Sequence, residues 1–141
     1  MNARSADPKC RTRAVTLAPV PEAVAAGREW SRETMTDWKL DDVSDVAAQI
    51  VSELVTNSIE HARTACVRLV MTHATETLWI DVGDDDADSL PARRQAGPDD
   101  VCGRGLTIIE AMSDRWGISI TGYGKSVWCA LAAPQAAPWR A

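Results

Sequence analysis

A glutamate and an asparagine lie four residues apart in the segment 53–62, ELVTNSIEHA. At about 100° per residue, Glu53, Asn57 and His61 fall within roughly an 80° arc of a helix, at the edge of an apolar stripe. The amide oxygen of Asn57 suits Mg²⁺, an ion that takes its remaining ligands from waters and phosphates. Glu53, one turn earlier, could orient or deprotonate an attacking hydroxyl or water. The alternative is that these residues form only the solvated side of a core helix.

Three helices could position these side chains. A first helix is predicted over 22–38, where apolar residues recur at helical spacing. A second helix, capped by Asp41 or Asp42, carries the segment above and ends near Ala62. A third helix is predicted over 105–115.

Elsewhere the apolar residues alternate with a period of two, which is typical of strands. Residues 15–18 are predicted to form a short edge strand. The runs 67–71 and 78–82 are predicted to form one hairpin, with a turn between them at 72–77, and later residues form a second hairpin. The order of elements predicts an α+β fold: a two-layer α/β sandwich, with a mixed or antiparallel sheet and helices on one face.

The later hairpin is predicted from strands at 116–121 and 126–131, around a glycine-containing turn. Between the two hairpins, residues 84–103 are rich in Asp, Pro, Arg and Gly, and such a long loop in a compact domain is typically functional or disordered.

A chain of 141 residues is long enough for one well-buried core. The domain is predicted to cover 15–131, with a mobile N-terminal arm at 1–14 and a flexible C-terminal tail at 132–141. No internal repeat and no second domain are expected.

Charge and composition exclude several function classes. The net charge of -5 and the pI of about 4.9 give no basic footprint for direct nucleic-acid binding. No apolar run approaches the roughly 18 residues that span a bilayer, and the first residues lack the apolar core of a signal peptide, so a cytoplasmic protein is expected. Four cysteines without C-x-x-C spacing and two histidines argue against a zinc site.

Four short motifs occur in order along the chain: Glu-Leu-x-x-Asn at 53–57, Asp84 at the end of a strand, Gly-Arg-Gly-Leu at 103–106, and Gly-Lys-Ser at 124–126. Together they resemble the nucleotide-binding boxes of the GHKL ATPases, the histidine-kinase-like proteins of the Bergerat ATP-binding fold. Within that superfamily, the short length and the runs around 103–106, 114–117 and 124–128 are similar to the bacterial anti-sigma-factor serine/threonine kinases. The resemblance covers about residues 15 to 131.

The resemblance implies ATP and Mg²⁺ as cofactors and assigns roles to matching residues. Asn57 resembles the amide that holds Mg²⁺ against the triphosphate, and His61 lies beside it among the nucleotide-binding candidates. Glu53 resembles the general base. Asp84 resembles the carboxylate that accepts a hydrogen bond from the adenine amino group, and Asp81 is the competing choice.

The glycine-containing motifs complete the candidate nucleotide site. Gly103 and Gly105 leave no side chain where phosphates approach, and the helix that follows at Leu106 offers its N-terminal N–H groups. Arg104 could add positive charge there or simply face water. Ser126 stands where the family has a small hydroxyl residue that reaches the base through water, although a serine at a turn-to-strand junction is the alternative interpretation.

The chain departs from the superfamily after the adenine-binding acid. Where D-x-G-x-G is usual, Asp84 is followed by Asp-Asp-Ala.

The resemblance as a whole implies an ATP-dependent serine/threonine kinase that phosphorylates a small anti-sigma antagonist protein. A sigma factor and a second copy of the chain are further candidate partners. The alternative is a nucleotide-gated binding module without phosphoryl transfer, since the degenerate glycine box leaves room for it.

Overall fold

The computed structural model describes residues 10–61, 64–85, 101–120 and 124–135, apart from the side chains of residues 61 and 101–106. Three α-helices and five strands account for most of these residues. In chain order, the elements are β1 (Arg11–Leu17), α1 (Glu22–Asp37), a 3-10 turn (Asp41–Val43), α2 (Ser44–His61), β2 (Val67–Ala74), β3 (Thr77–Asp84), α3 (Val101–Met112), β4 (Arg115–Ile120) and β5 (Lys125–Ala132).

The strands form one sheet in the order β1-β2-β3-β5-β4, and every neighbouring pair is antiparallel. Alternate side chains of β2, β3 and β5 are buried, because one face of the sheet packs against the helices and the other does not. The predicted α+β fold, a sheet with helices on one face, is confirmed.

Helix α2 lies at the centre of the helical layer and contacts α1, α3 and β3. Since it has neighbours on several sides, many of its apolar residues are fully buried, among them Ile50, Val51, Leu54 and Val55. They join the core side chains of β2 and β3 in a single hydrophobic cluster. No helix among the described residues is long and apolar enough to cross a bilayer.

The hairpin between β2 and β3 is tighter than the sequence predicts. Ala74 pairs with Thr77, so only Thr75 and Glu76 form the turn. Both have positive φ angles, 53° and 61°, as a two-residue type I′ turn requires. The predicted turn over 72–77 was too long, because Thr72 and His73 continue the strand.

The folded domain extends beyond the predicted limits of 15–131 at both ends. Strand β1 begins at Arg11 and pairs with β2 as far as His73. After β5, Ala133 is buried, and its N–H donates to the carbonyl of Glu76. The Gln135 amide donates to two backbone carbonyls at the end of α1 and accepts from Arg11, 2.7 Å away. The rest of the predicted arm and tail, 1–9 and 136–141, lies outside the described residues.

Helix α3 begins at Val101, four residues before the predicted start, and ends at Met112. The glycine motif at 103–106 therefore lies inside the first two turns of the helix rather than ahead of it. A helix leaves its first N–H groups without intrahelical acceptors, so the first turn of α3, including Gly103, still presents backbone donors.

Gly124 immediately precedes β5 and lies against the end of β3. A Cβ atom at this position would stand 1.9 Å from the carbonyl oxygen of Asp84. Only a residue without a side chain allows this close approach of two backbones.

We expect Gly124→Ala to lower the free energy of unfolding by about 3 kcal/mol, because the two backbone segments must separate. Gly83→Ala is the matched control, since its Cβ would have no neighbour closer than 3.4 Å. Urea denaturation measures both variants. Equal stability of Gly124→Ala and wild type would contradict the close approach.

Candidate functional site

The C-terminal ends of α2 and β3 meet at one end of the sheet. Five residues separate α2 from β2, whose Arg68 pairs with Gly83 near the end of β3. The Thr64 hydroxyl accepts a hydrogen bond from the N–H of Asp85, 2.9 Å away, and so ties this connection to the exit of β3. The predicted site residues of α2 and β3 therefore lie toward the same end of the sheet.

Asn57 and Glu53 occupy successive turns of α2 and differ in burial. Asn57 is 6% exposed, whereas Glu53 is only partly buried and accepts a hydrogen bond from Gln49, 3.3 Å away. The buried amide nitrogen Nδ2 of Asn57 has no hydrogen-bond partner among the described residues. A buried polar atom left without a partner costs about 1–3 kcal/mol, so a polar group beyond these residues would offset that cost.

The donor set of this region fits a magnesium ion held mainly by a nucleotide. Rotation of the Asn57 amide by 180° exchanges its nitrogen and oxygen, so the unpartnered position can present a carbonyl oxygen. Within the described residues, no three His, Cys, Asp or Glu side chains cluster as a metal site. An ion held here would thus take few ligands from the protein and the rest from phosphates and water, as Mg²⁺ does.

Asp84 ends β3 on the helix-facing side of the sheet, in line with Ile80 and Val82. Its carboxylate is almost fully buried and forms an ion pair with Lys125, the residue opposite it on β5. The Lys125 ammonium donates to both carboxylate oxygens, at 3.2 and 3.1 Å. A buried charge requires such a partner, since desolvation of an isolated carboxylate is costly.

Asp81, the competing choice for the adenine carboxylate, lies on the opposite face of the sheet. It lines an open cleft with residues that all point away from the helices. Burial raises the pKa of Asp81 above its ordinary value, and a hydrogen bond from Ser126 and the charge of Arg68 partly offset the rise. The two carboxylates therefore lie on opposite faces of the sheet: Asp84 is on the helical side with Asn57, and Asp81 is on the other side.

Ser126 does not join the predicted site. Its side chain is on the open face of the sheet, where it lowers the pKa of Asp81. The prediction placed this hydroxyl near the nucleotide base, but alternation along β5 gives the helix-facing position to Lys125 instead. Lys125 was missed, although its spacing of two from Val127 and Cys129 predicts that it shares their face.

The first turn of α3 supplies the remaining predicted element. Asp114, two residues after the end of α3, is fixed at the far end of β5: its N–H donates to the Ala130 carbonyl, and its carboxylate accepts from the Ala132 N–H. The N-terminal turn, with Gly103, thus points away from that end. The side chains of His61, Arg104 and Leu106 lie outside the described residues.

The arrangement combines three chemical capabilities at one end of the domain. Glu53 is a carboxylate with access to solvent and can accept a proton. Asn57 offers a buried amide to a metal ion, and the start of α3 offers backbone N–H groups to an anion. Asp84 and Lys125 form a buried acceptor and donor side by side, as recognition of a polar ring edge requires.

Comparison with known proteins gives a family match and several structural matches, two of which are described below. A family model described as a histidine kinase-like ATPase domain matches residues 14–130. No curated protein matches the chain in sequence. The crystal structure of the RsbU and RsbW domains of Rv1364c from Mycobacterium tuberculosis is similar, with a TM-score of 0.66 and 18% identity, over 89% of this chain and 33% of that chain. The Acinetobacter baumannii histidine kinase AdeS gives a TM-score of 0.48 and 14% identity, over 87% of this chain and 68% of that chain.

The first of these structures supports the same fold, and this chain spans about a third of its length. The family match extends from within β1 to within β5 and includes the described site residues. The chain therefore belongs to the histidine kinase-like ATPase domain family.

Proposed function

We propose that the protein is an ATP-dependent serine/threonine protein kinase that phosphorylates a small anti-sigma antagonist protein and regulates transcription by partner switching. Membership in a family of ATPase domains implies ATP as the nucleotide. The serine/threonine specificity and the partner rest on the resemblance of the four motifs to the anti-sigma-factor kinases.

The observation that carries the proposal is the buried amide of Asn57, one turn after Glu53, whose nitrogen has no partner among the described residues. A helix of pure packing function would gain stability from an apolar residue at such a position. A role for Asn57 in holding Mg²⁺ against the phosphates of ATP accounts for an amide at this position. Bound there, the ion would neutralise charge that develops on the transferred phosphoryl group.

In this proposal the adenine ring lies against the end of β3. Asp84 accepts a hydrogen bond from the adenine amino group. A carboxylate has about four lone-pair directions, so an amino group and an ammonium can share it. The backbone N–H groups at the start of α3 then face the phosphates.

In the proposed phosphoryl transfer, Glu53 is the general base. The hydroxyl oxygen of the substrate serine or threonine attacks the γ-phosphorus of ATP, and the bond from that phosphorus to the β,γ-bridging oxygen breaks. Glu53 takes the hydroxyl proton, and ADP leaves with the electron pair of the broken bond. Positioning and charge neutralisation supply most of the catalysis in reactions of this kind.

The proposed partners follow the same resemblance. They are an anti-sigma antagonist as the phosphorylated substrate, a sigma factor as an alternative binding partner, and a second copy of the chain in a homodimer. Proteins of these classes act in the bacterial cytoplasm, so the proposal implies a cytoplasmic location.

A second candidate function is a nucleotide-gated binding module without phosphoryl transfer. The Asp84–Lys125 ion pair favours it, because a carboxylate already held by an ammonium offers less to a neutral amino group. Weak or slow nucleotide binding would suit a binding module whose shape the nucleotide controls better than it would suit an enzyme that must release ADP after each reaction.

We expect saturating ATP·Mg²⁺ to stabilise the wild-type protein and Asn57→Ala to lose this effect. A ligand at one hundred times its Kd adds about 2.7 kcal/mol to the free energy of unfolding. Without ligand, Asn57→Ala should be at least as stable as wild type, since the change removes an unpartnered buried amide. Thermal melts with and without ATP·Mg²⁺ measure both effects.

Ser52→Ala is the matched control for Asn57→Ala, because it shortens another polar side chain of α2, five residues before Asn57. It should keep the full stabilisation by ATP·Mg²⁺. If the melt of the wild type does not move, nucleotide binding is wrong; if Asn57→Ala keeps the shift, the metal role of Asn57 is wrong.

Glu53→Gln separates the kinase from the binding module. The variant should bind ATP·Mg²⁺ as wild type does, while transfer to the antagonist protein falls about 10²- to 10⁴-fold, the usual contribution of a general base. Transfer of labelled phosphate is the measurement, with a pull-down to identify the substrate protein. Wild-type protein that binds both ATP and its partner but transfers no phosphate would leave the binding module as the better account.

Lys125→Met tests how the nucleotide uses Asp84. Without ligand, the variant should lose about 3–5 kcal/mol of stability, since Asp84 keeps a buried charge without its ammonium partner. ATP should then stabilise the variant more than it stabilises wild type, because the adenine amino group gives Asp84 a new donor. ITP, which lacks that amino group, is the control nucleotide. Equal gains from ATP and ITP in Lys125→Met would rule out a contact between Asp84 and the amino group.

A further inference from the structure

The face of the sheet that the helices leave uncovered carries an open cleft of about 440 Å³. This volume lies within the usual range of about 300–1,000 Å³ for binding pockets. The cleft crosses β2, β3 and β5, and its lining residues are Val70, Thr72, Trp79, Asp81 and Trp128. It opens on the opposite side of the sheet from Asn57 and Asp84, so it is separate from the proposed nucleotide site.

Two tryptophans on an uncovered sheet face are unusual, because the solvent side of an antiparallel sheet is ordinarily polar. Trp79 and Trp128 are both partly exposed. The indole of Trp128 extends over β4, where a Cβ atom on Gly117 would lie 2.8 Å from the ring. This contact holds the ring beside the cleft and leaves aromatic surface available for a ligand.

Asp81 brings a negative charge between these rings. Trp128 is its direct neighbour on β5, and Val70 is its neighbour on β2. Burial raises the pKa of Asp81, a sign that its carboxylate is partly withdrawn from water. A carboxylate in such surroundings attracts a cation more strongly than an exposed carboxylate does.

A described cation on the same face, Arg68, forms its ion pair with another residue. Its guanidinium binds Asp85, 3.2 Å away. Asp81 takes part in none of the ion pairs found within the described parts of the chain. The neighbouring Ser126 hydroxyl lowers the pKa of Asp81, and a carboxylate has about four lone-pair directions, so a ligand can share it.

The same molecule shows what fills a site of this composition. At the outer strand β1, the guanidinium of Arg13 binds the carboxylate of Asp37, 2.9 Å away, and lies 5.8 Å from the ring centre of Trp38. A second guanidinium, from Arg11, lies 5.3 Å from the same ring. Indole and carboxylate together therefore hold arginine in this fold, through cation–π attraction and a charge-assisted hydrogen bond.

We propose that the cleft formed by Trp79, Asp81 and Trp128 binds an arginine side chain of a partner protein. The guanidinium lies against the indole rings and donates to the Asp81 carboxylate. Arginine fits better than lysine, because its planar group stacks on aromatic rings while its N–H groups reach a carboxylate. The site requires neither ATP nor phosphoryl transfer, so it stands independently of the proposed kinase function.

The test uses the full chain and N-acetyl-arginine amide as the probe, with N-acetyl-citrulline amide as its neutral counterpart. The chain has six tryptophans, whose indole N–H signals can be resolved by NMR and assigned with single Trp→Phe variants. The signals of Trp79 and Trp128 should shift and saturate with the arginine probe, and the citrulline probe should shift them far less. The other tryptophan signals should stay in place.

Asp81→Asn should weaken binding of the arginine probe about tenfold, the loss expected for a charge-assisted hydrogen bond. Asp45→Asn removes the same charge at an exposed site on α2 and should leave the affinity unchanged. Circular dichroism and thermal melts check that both variants fold. An unchanged affinity in Asp81→Asn, or an equal response to both probes, would overturn the proposal.

Sedimentation at several protein concentrations identifies the other candidate occupant of the cleft. If the chain self-associates, and if Asp81→Asn or the arginine probe abolishes the association, the occupant is a second copy and the proposed partner protein is wrong. If the association state of the chain is the same in wild type, in Asp81→Asn and in the presence of the probe, while the probe binds through Trp79 and Trp128, the proposal is supported.

Discussion

Helix α2 packs against the sheet and, within the helical layer, against α1 and α3, and the rest of the structure depends on this position. A helix with apolar side chains buried on several sides can adopt few rotations about its axis. Any other rotation would expose some of these side chains, at a cost of about 1.5–3 kcal/mol of transfer free energy each. Ile50, Val51, Leu54 and Val55 fix the rotation of the helix about its axis. That rotation carries Asn57 into a buried position and leaves Glu53 at the edge, where solvent still reaches it.

Strand alternation imposes the second constraint, since adjacent residues of β3 and β5 must face opposite sides of the sheet. The residues on the helical side near the strand ends are Asp84 and Lys125, which neutralise one another. Their counterparts on the open side are Asp81 and Ser126, which are also in contact. The same pair of strands thus provides an ion pair inside the domain and a polar patch between tryptophans outside it.

Much of the fold follows from the sequence, because its signals are periodic and local. The start of α1 at Glu22 and the alternation of β2 and β3 agree with the prediction, as does the placement of helices on one face. The ends of elements were less predictable, since they depend on contacts with distant residues. Gln135, for example, is held by the end of α1 and by Arg11, which no local pattern reveals.

For Glu53 and Asn57, residue type and helical spacing predicted the observed placement on successive turns of one helix, and their roles stay predictions. The prediction for Ser126 differs from the structure, because residue type was given more weight than the direction of the side chain. A lysine next to a serine invites the assumption that the lysine is exposed, because unpaired lysines are rarely buried. Lys125 is buried only because Asp84 lies opposite it across two strands that are forty residues apart in sequence, and pairing of that kind is settled by the fold.

The contact between Arg11 and Gln135 places the two ends of the described domain side by side, with 2.7 Å between the bonded atoms. A chain that enters at β1 and leaves after β5 does so at nearly one point on the surface. Domains with adjoining ends can be inserted into a loop of another protein, or joined end to end in tandem, without stretching their own sheet. This geometry makes the domain a transferable module, able to sit within a longer polypeptide while the end of the sheet near Asn57 and Asp84 and the open sheet face stay accessible.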